Sequence, residues 1–130
     1  MYIEPSLLNW SEYTILLVED DESSSFLLRE ILKDTRVNVV TVSNGLDAVN
    51  YCSAGNKVDL ILMDIKMPVM NGIDASFAIK QIYPDLPIIA QTANTIYDTR
   101  ILCLETGCDE FIIKPIDSAE LLELISHYLK

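Results

Sequence analysis

The chain has 130 residues, half of them hydrophobic, and a formal net charge of −11 from 20 acidic and 9 basic residues. This length and composition predict one globular domain with a sizeable core and exclude a disordered chain. The acidic balance disfavours nucleic acid and anionic membranes as direct partners, because both attract surfaces rich in lysine and arginine. It favours cation binding wherever carboxylates converge.

The few cysteines and the single histidine limit the redox and metal chemistry of the chain. Cys52, Cys103 and Cys108 are odd in number and contain no C-x-x-C pair, which is typical of reduced thiols in a cytoplasmic protein. His127 has no Cys or His near it in sequence, which disfavours zinc. No apolar run reaches the ~18 residues of a membrane span, and the chain does not start as a secretory signal does. We therefore expect a cytoplasmic location without membrane insertion.

Five short apolar or β-branched runs predict five strands, each too short for a helix. Residues 1–12 precede them as a leader or linker, in which Leu7, Leu8 and Trp10 are available to dock against the domain. The predicted strands are 14–18, 37–42, 60–63, 87–91 and 110–113.

Helical spacing of apolar residues predicts a helix after every strand. Ser23, Ser24 or Ser25 is expected to cap the first helix, and Asp117 forms a capping-box pattern with Glu120 before the last one. The apolar stripe of the first helix is Leu27, Leu28, Ile31 and Leu32.

The three middle helices have turn residues at their ends. Asn44 is expected to cap the second helix, the third runs from Gly72 to Tyr83, and the fourth spans 95–106 before Gly107. Strands that alternate with helices through short connections predict βα units, a parallel sheet and right-handed crossovers.

Polar side chains follow four of the predicted strands at the point where each strand ends. They are Glu19 with Asp20, then Asp64, Thr92 and Lys114. Because the carboxyl ends of parallel strands meet at one edge of a sheet, three carboxylates, a hydroxyl and an ammonium should converge there. Two carboxylates about 4 Å apart repel by roughly 4 kcal/mol at an effective dielectric near 20, so the cluster should hold a divalent cation. Oxygen ligands without Cys or His suit Mg²⁺.

Each of these residues also has an ordinary structural interpretation. Glu19 and Asp20 could form a solvated acidic turn, and Asp64 could cap a turn or a helix. Thr92 could be an ordinary helix cap, and Lys114 could be a surface lysine. Their coincidence at four strand ends favours phosphoryl chemistry, because such a site needs a nucleophile, a hydrogen-bond donor and positive charge.

The chain resembles the receiver domain of two-component response regulators over residues 13–130. Four motifs in order carry the resemblance: Ile-Leu-Leu-Val-Glu-Asp-Asp at 15–21, Leu-Met-Asp-Ile-Lys-Met-Pro-Val-Met-Asn-Gly at 62–72, Thr-Ala at 92–93 and Lys-Pro at 114–115. The resemblance implies a single-domain, flavodoxin-like α/β fold of five βα units. Its parallel sheet would have strand order 2-1-3-4-5 and helices on both faces.

By this resemblance, Asp64 is the phosphoacceptor and takes its phosphoryl group from a histidine kinase or its phosphorylated histidine domain. Asp20 and Asp64 would bind Mg²⁺ directly, Glu19 would hold it through water, and the backbone carbonyl of Lys66 would be a further ligand. The protein would catalyse only its own phosphorylation and dephosphorylation.

The resemblance also assigns the residues that transmit the signal. Thr92 and Lys114 would contact the phosphoryl oxygens, and Phe111 would be the aromatic switch that turns inward with Thr92. The Lys114–Pro115 bond would be cis, which aims Lys114 back over the sheet edge. The fourth helix, the fifth strand and the fifth helix would then form the responding surface, which is also a candidate homodimer contact.

Three other functions remain open from the sequence. The first is a phosphorelay carrier within a hybrid sensor kinase, tethered in that case to a membrane-bound protein; the segment around Trp10 resembles the linker before such receivers. The second is a phosphatase of the haloacid dehalogenase type, which needs an acid two residues after its nucleophile, where Lys66 stands. The third is a flavodoxin-like cofactor binder, but the four acids at 19–22 would repel a phosphate.

Overall fold

A five-stranded parallel sheet forms the centre of the molecule. The computed structural model describes residues 4–67, 69–92 and 107–129. The sheet order is β2-β1-β3-β4-β5, and every neighbouring pair is parallel. This confirms the predicted fold class and strand order. The strands are β1 Thr14–Val18, β2 Asn38–Val42, β3 Leu60–Asp64, β4 Ile88–Thr92 and β5 Glu110–Ile113.

Four α-helices lie within the described residues, and two 3₁₀ turns, Pro5–Leu7 and Lys33–Thr35, accompany them. The predicted helix over 95–106 falls outside the described residues, so the predicted fifth helix is α4 here. The helices are α1 Glu22–Leu32, α2 Gly45–Ser53, α3 Gly72–Ile82 and α4 Ser118–Ser126.

The sheet has a hydrophobic core on each face, because successive side chains of a strand point to opposite sides. Leu17 and Leu62 pack with residues of α1 and α4 on one face, which we call the α1 face. Leu16 and Met63 pack with residues of α2 and α3 on the other face, the α2 face. Every residue of β3 is buried, as expected of the central strand of a sheet that is covered on both sides.

The predicted cap of the first helix is wrong and the capping box predicted before the last helix does not form, whereas Asn44 caps α2 as predicted. Asp21, not a serine, is the N-cap of α1: its backbone is extended, and its carboxylate accepts the Ser24 N–H at 2.9 Å. The helix therefore starts before the serines. Asp117 stands at the N-cap of α4 without a side-chain capping bond among the described residues, so the capping box does not form.

The apolar stripe of α1 is also narrower than predicted. Leu28 and Leu32 are fully buried against the sheet, but Leu27 is 49% exposed. The inner face of α1 is instead completed by Ser25, one turn before Leu28. Leu27 directly precedes Leu28 on the helix, so it points away from the sheet when Leu28 faces it.

The segment before β1 packs against the domain through two of its three predicted docking residues. Trp10 is buried in the α1-face core, and its backbone N–H donates to the Thr35 carbonyl at 2.8 Å. Leu8 is partly buried, whereas Leu7 is 82% exposed. No helix of the described residues is long and apolar enough to cross a membrane.

Candidate functional site

The sheet order gathers the polar strand ends into one cavity of about 280 Å³. β1, β3, β4 and β5 lie side by side, so the residues at their carboxyl ends become neighbours. All of the predicted metal, phosphoacceptor and phosphoryl-contacting residues line this cavity. It is lined by Glu19, Asp20, Asp21, Ser24, Asp64, Ile65, Lys66, Thr92 and Lys114.

Three carboxylates and one ammonium form the centre of this cavity. One carboxylate oxygen from each of Glu19, Asp20 and Asp64 lies within 4.8 Å of the others. Glu19 and Asp64 are buried, while Asp20 is exposed at the mouth. The Lys114 ammonium lies 3.3 Å from Glu19 Oε1 and 3.5 Å from Asp64 Oδ1. Among the described residues, Lys114 is thus the lysine whose ammonium lies within 4 Å of the Glu19 and Asp64 carboxylates.

Burial and the neighbouring Asp64 change the protonation of Glu19. Burial raises the pKa of its carboxyl group from 4.5 to about 7, and the hydrogen bond and charge of Asp64 act in the same direction. The Asp21 N–H, which donates to Glu19 Oε2 at 3.2 Å, and the Lys114 charge only partly oppose this rise in pKa. Glu19 is therefore partly protonated near neutral pH when no further cation is present.

The donor set of the cluster fits Mg²⁺. All three side chains offer oxygen, none of the residues that line the cavity is Cys or His, and their charges exceed what Lys114 balances. Hard oxygen donors with room for water are what Mg²⁺ requires in proteins. Lys66 lines the cavity beside them, and its carbonyl as a ligand stays a prediction.

The end of β3 is held against the start of α3 by a contact that sequence analysis missed. The Gly72 N–H donates to the Ile65 carbonyl at 2.9 Å, and a Cβ at Gly72 would lie 2.1 Å from the Asp64 carbonyl oxygen. Asn71 caps the helix by accepting the Asp74 N–H at 2.9 Å. The sequence does contain a signal for this contact: Gly72 stands at the start of a helix, where glycine is unfavourable unless a close backbone approach requires it.

The predicted switch residues Thr92 and Phe111 lie on the adjacent strands β4 and β5, and Thr92 lines the cavity. Thr92 is buried at the end of β4, and its carbonyl accepts the Lys114 N–H at 2.8 Å. Phe111, on β5, is paired in register with Ala90 and packs partly buried on the α2-face core. The Lys114–Pro115 bond is cis, as predicted. The predicted fourth helix of the responding surface, over 95–106, lies outside the described residues.

The chain is similar to several regulatory proteins. It is 36% identical over 116 residues to the transcriptional regulatory protein CpxR of Escherichia coli, covering 89% of this chain and 49% of that protein. It is 35% identical to hybrid signal transduction histidine kinase L of Dictyostelium discoideum, covering 89% of this chain and 7% of that protein. The chain thus spans half or less of the length of these two relatives.

Solved structures show the same fold. The receiver domain of a sensor histidine kinase from Pseudomonas aeruginosa, with a magnesium ion in its active-site cleft, matches with 32% identity and a TM-score of 0.82, over 90% of this chain and 97% of that one. CheY of Borrelia burgdorferi, in a complex with CheX, beryllofluoride and magnesium, matches with 27% identity and a TM-score of 0.85, over 98% of this chain and 100% of that one.

A family description fits nearly the whole chain. The response regulator receiver domain matches residues 15–126, which include every residue of the acidic cavity. Receiver domains are signalling modules of two-component systems. The chain belongs to the response regulator receiver domain family.

Proposed function

We propose that this receiver accepts a phosphoryl group on Asp64 from a phosphohistidine of a histidine kinase or of its phosphotransfer domain, in a reaction that requires Mg²⁺. One observation carries the proposal. The carboxylates of Glu19, Asp20 and Asp64 converge within 4.8 Å at the carboxyl edge of the sheet, with the Lys114 ammonium 3.5 Å from Asp64.

In the proposed reaction, a carboxylate oxygen of Asp64 attacks phosphorus and forms an acyl phosphate. The phosphorus–nitrogen bond of the phosphohistidine breaks, and its electron pair returns to the imidazole ring, which takes up a proton. Lys114 offsets the charge of the transferred group, and the Thr92 hydroxyl donates to one of its oxygens. Bound Mg²⁺ would supply further charge compensation, with Asp20 and Asp64 as direct ligands, Glu19 through water, and the Lys66 carbonyl.

Two fates of the phosphoryl group follow from the relatives. In a response regulator, it changes the surface formed by the predicted helix over 95–106, β5 and α4, which we call the switch surface and which also serves as the candidate homodimer contact. In a phosphorelay, it passes on to a second histidine, and the similarity to a Dictyostelium hybrid kinase supports this alternative. The phosphatase alternative is disfavoured, because Lys66 occupies the position of its second acid and the chain belongs to the receiver family.

Intact-mass measurement tests the phosphoacceptor. Incubation with acetyl phosphate and Mg²⁺ should add one phosphoryl group to the wild-type chain and none after chelation of the metal. Asp64→Asn should abolish the adduct, whereas Asp85→Asn, at an exposed aspartate outside the cavity, should retain it. An Asp64→Asn chain phosphorylated to wild-type stoichiometry would refute the assignment.

Calorimetric titration with Mg²⁺ tests the ligand roles. Glu19→Gln should weaken binding by about 10- to 100-fold, the cost typical of a ligand that acts through an intermediary. Asp20→Asn should weaken it further, because it removes a direct ligand. Equal and negligible effects of the two substitutions would contradict the metal site.

A further inference from the structure

The loop between β3 and α3 forms a wall beside the acidic cavity. A second, open cavity of about 510 Å³ adjoins the acidic one, and residues from both ends of this loop line it together with Asp20. Ile65 and Lys66 line both cavities. The course of the loop therefore determines where the backbone of Lys66, whose carbonyl is the predicted ligand, stands beside the three carboxylates.

Backbone hydrogen bonds hold the two ends of this loop together. The Ile65 N–H donates to the Gln91 carbonyl at 3.1 Å, so the loop starts as a continuation of the sheet. At the other end, the Gly72 N–H donates to the Ile65 carbonyl at 2.9 Å. Lys66 directly follows Ile65, and Asn71 directly precedes Gly72. A displacement of Asn71 is thus passed to the Lys66 backbone through one hydrogen bond.

The first residue of α2 fixes the end of the loop from outside. The Gly45 N–H donates to the Met70 carbonyl at 3.1 Å, and Gly45 is buried. A Cβ on Gly45 would lie 2.4 Å from the Met70 carbonyl oxygen and 3.0 Å from the Asn71 carbonyl oxygen. A side-chain carbon does not approach a backbone oxygen so closely. Only glycine therefore lets α2 meet the loop at this distance.

The helix itself gives no other reason for a glycine at this position. Asn44 already caps α2 by accepting the Asp47 N–H at 2.8 Å. Gly45 does not have the positive φ that Gly55 and Gly107 have, so its backbone conformation is open to other residues. Within a helix, glycine is among the least favourable residues. The contact with the loop carbonyls is what explains Gly45.

We propose that Gly45 is a positioning residue for the metal site, which acts through the backbone of the loop and does not touch the metal. This inference rests on the proposed function, because it takes the Lys66 carbonyl as a ligand of Mg²⁺. A larger residue at this position must push the Met70 and Asn71 carbonyls away. The bond between Gly72 and Ile65 transmits that displacement to the Lys66 backbone.

The two common divalent cations should respond differently to such a displacement. Mg²⁺ requires nearly ideal octahedral geometry, whereas Ca²⁺ accepts variable numbers and distances of oxygen ligands. A displaced carbonyl should therefore weaken Mg²⁺ binding more than Ca²⁺ binding. A merely structural role of Gly45 would leave the ratio of the two affinities unchanged in the folded protein.

Separate calorimetric titrations of the full chain with Mg²⁺ and with Ca²⁺ test the proposal. Gly45→Ala should weaken Mg²⁺ binding by about 10-fold, a cost typical of losing a residue that orients a ligand, and Ca²⁺ binding by about twofold or less. Gly55→Ala, beyond the other end of α2, is the matched control. Its φ of 85° strains the backbone, but its Cβ would meet no atom within 4 Å, so both affinities should stay at the wild-type values. A wild-type ratio of affinities in Gly45→Ala would overturn the proposal.

Ala75→Gly separates the effect of the loop from the packing of α2 on α3. The Ala75 Cβ lies 3.0 Å from the position of the added Cβ, so it also crowds Gly45→Ala. If the loop carbonyls transmit the effect, Mg²⁺ binding should stay weak when Ala75→Gly is combined with Gly45→Ala. Recovery of the wild-type ratio in the double variant would assign the effect to helix packing and overturn the proposal.

A measurement on the wild-type chain covers the case in which Gly45→Ala does not fold. Mg²⁺ should slow hydrogen exchange of the Gly45 amide, because the metal fixes the loop that holds its acceptor. The Gly55 amide, which donates to the Cys52 carbonyl at 3.1 Å, should exchange equally with and without Mg²⁺. Equal exchange of the Gly45 amide in the presence of bound Mg²⁺ would refute this inference alone. A wild-type chain that binds no Mg²⁺ would refute the proposed function and this inference with it.

Discussion

At the scale of a single residue, Gly72 determines how β3, which ends at Asp64, meets α3. The helix start approaches the Asp64 carbonyl so closely that no side chain fits between them. Asp64 and its neighbour Ile65 are thus held from the helix side by backbone contacts, including the Gly72 N–H bond to the Ile65 carbonyl. We therefore expect the orientation of the Asp64 side chain to depend on the absence of a Cβ at Gly72, the first residue of α3.

Gly72→Ala should lower the free energy of unfolding by about 1–3 kcal/mol, the usual cost of overpacking. It should also slow phosphorylation by acetyl phosphate, because relief of the clash must move the Asp64 backbone. Gly55→Ala is the control: a Cβ there meets no atom within 4 Å, and only the positive φ of 85° is strained. Urea unfolding and the rate of adduct formation measure both effects. A Gly72→Ala chain with the wild-type rate would show that the contact does not position Asp64.

Glu19 gives the metal-free protein a specific dependence of stability on pH. Its pKa is about 7 in the folded chain against 4.5 ordinarily, so between these values the folded state holds a proton that the unfolded state has lost. The free energy of unfolding contributed by Glu19 therefore falls as pH rises through this window. Urea unfolding with a chelator, at about pH 5 and about pH 7.5, should show that wild type loses more stability than Glu19→Gln. Parallel pH profiles would contradict the raised pKa.

The residues of the site were predictable from the sequence, but their energetics were not. Asp64, Thr92 and Lys114 each follow a recognisable apolar run, and the parallel topology alone brings such strand ends together. The raised pKa of Glu19 and the contact of Gly72 depend on distances of a few ångströms between segments. No local pattern encodes those distances. The sequence predicts Gln91 only as part of a strand, because the lack of a partner for its amide among the described residues depends on surroundings that no local pattern encodes.

At the scale of elements, strands were predicted more reliably than helix starts. β1 and β5 have their predicted bounds, since buried parallel strands are short apolar runs. The serine cap predicted for α1 was wrong because aspartate and serine have similar capping preferences, and backbone angles decide between them. Asp117 does stand at the N-cap of α4, but its side chain makes no capping bond among the described residues. The loop between β3 and α3 contains a further feature without a sequence signal: Val69 has a φ of 69° and is 76% exposed.

Val69→Asn should raise the free energy of unfolding by about 1 kcal/mol. A left-handed backbone costs an L-residue roughly 1–2 kcal/mol, more so when it is β-branched, and asparagine tolerates this conformation best after glycine. Val69→Ala is the matched control, because it retains the Cβ that causes most of the strain and should gain less. Chemical denaturation of the wild-type, Val69→Asn and Val69→Ala chains measures these differences in the free energy of unfolding. Equal stability of the asparagine and alanine variants would show that Val69 is not strained.

The molecule as a whole extends its core into the segment before β1. Trp10 belongs to the same buried cluster as residues of α1, β3 and α4. We propose residues 13–130 as the receiver domain, with the preceding segment as an added support. Replacement of Trp10 by alanine should then cost about 3–5 kcal/mol, as for other buried tryptophans.

Truncation checks the same point. A chain that starts at Tyr13 should be less stable than one that starts at Asn9 by an amount similar to that of Trp10→Ala, because Trp10 is the main buried residue that the shorter chain loses. Circular dichroism during urea unfolding is the suitable readout, since Trp10 is the only tryptophan. Identical stability of the two truncated chains would show that residues 9–12 do not contribute to the stability of the domain.

Phosphorylation should change the switch surface through Thr92 and Phe111. The phosphoryl group adds negative charge and acceptor oxygens beside Thr92. If the Thr92 hydroxyl turns toward them, it vacates space into which the neighbouring strand's Phe111 can rotate. Both arrangements of Phe111 must then lie within a few kcal/mol of each other, because a phosphoryl group can shift only a balanced equilibrium.

Amide hydrogen exchange with and without beryllofluoride and Mg²⁺ measures this response. We expect altered exchange across residues 95–128 in the wild-type chain and a similar alteration in Thr92→Ser, which keeps the hydroxyl. Thr92→Val keeps the shape and removes the hydroxyl, so its exchange should change less at the same fraction of bound beryllofluoride. Unchanged exchange in all three chains, with Phe111 in one rotamer, would leave a phosphoacceptor without a switch. The site would survive that result, and passage of the phosphoryl group to a second histidine would become the favoured function.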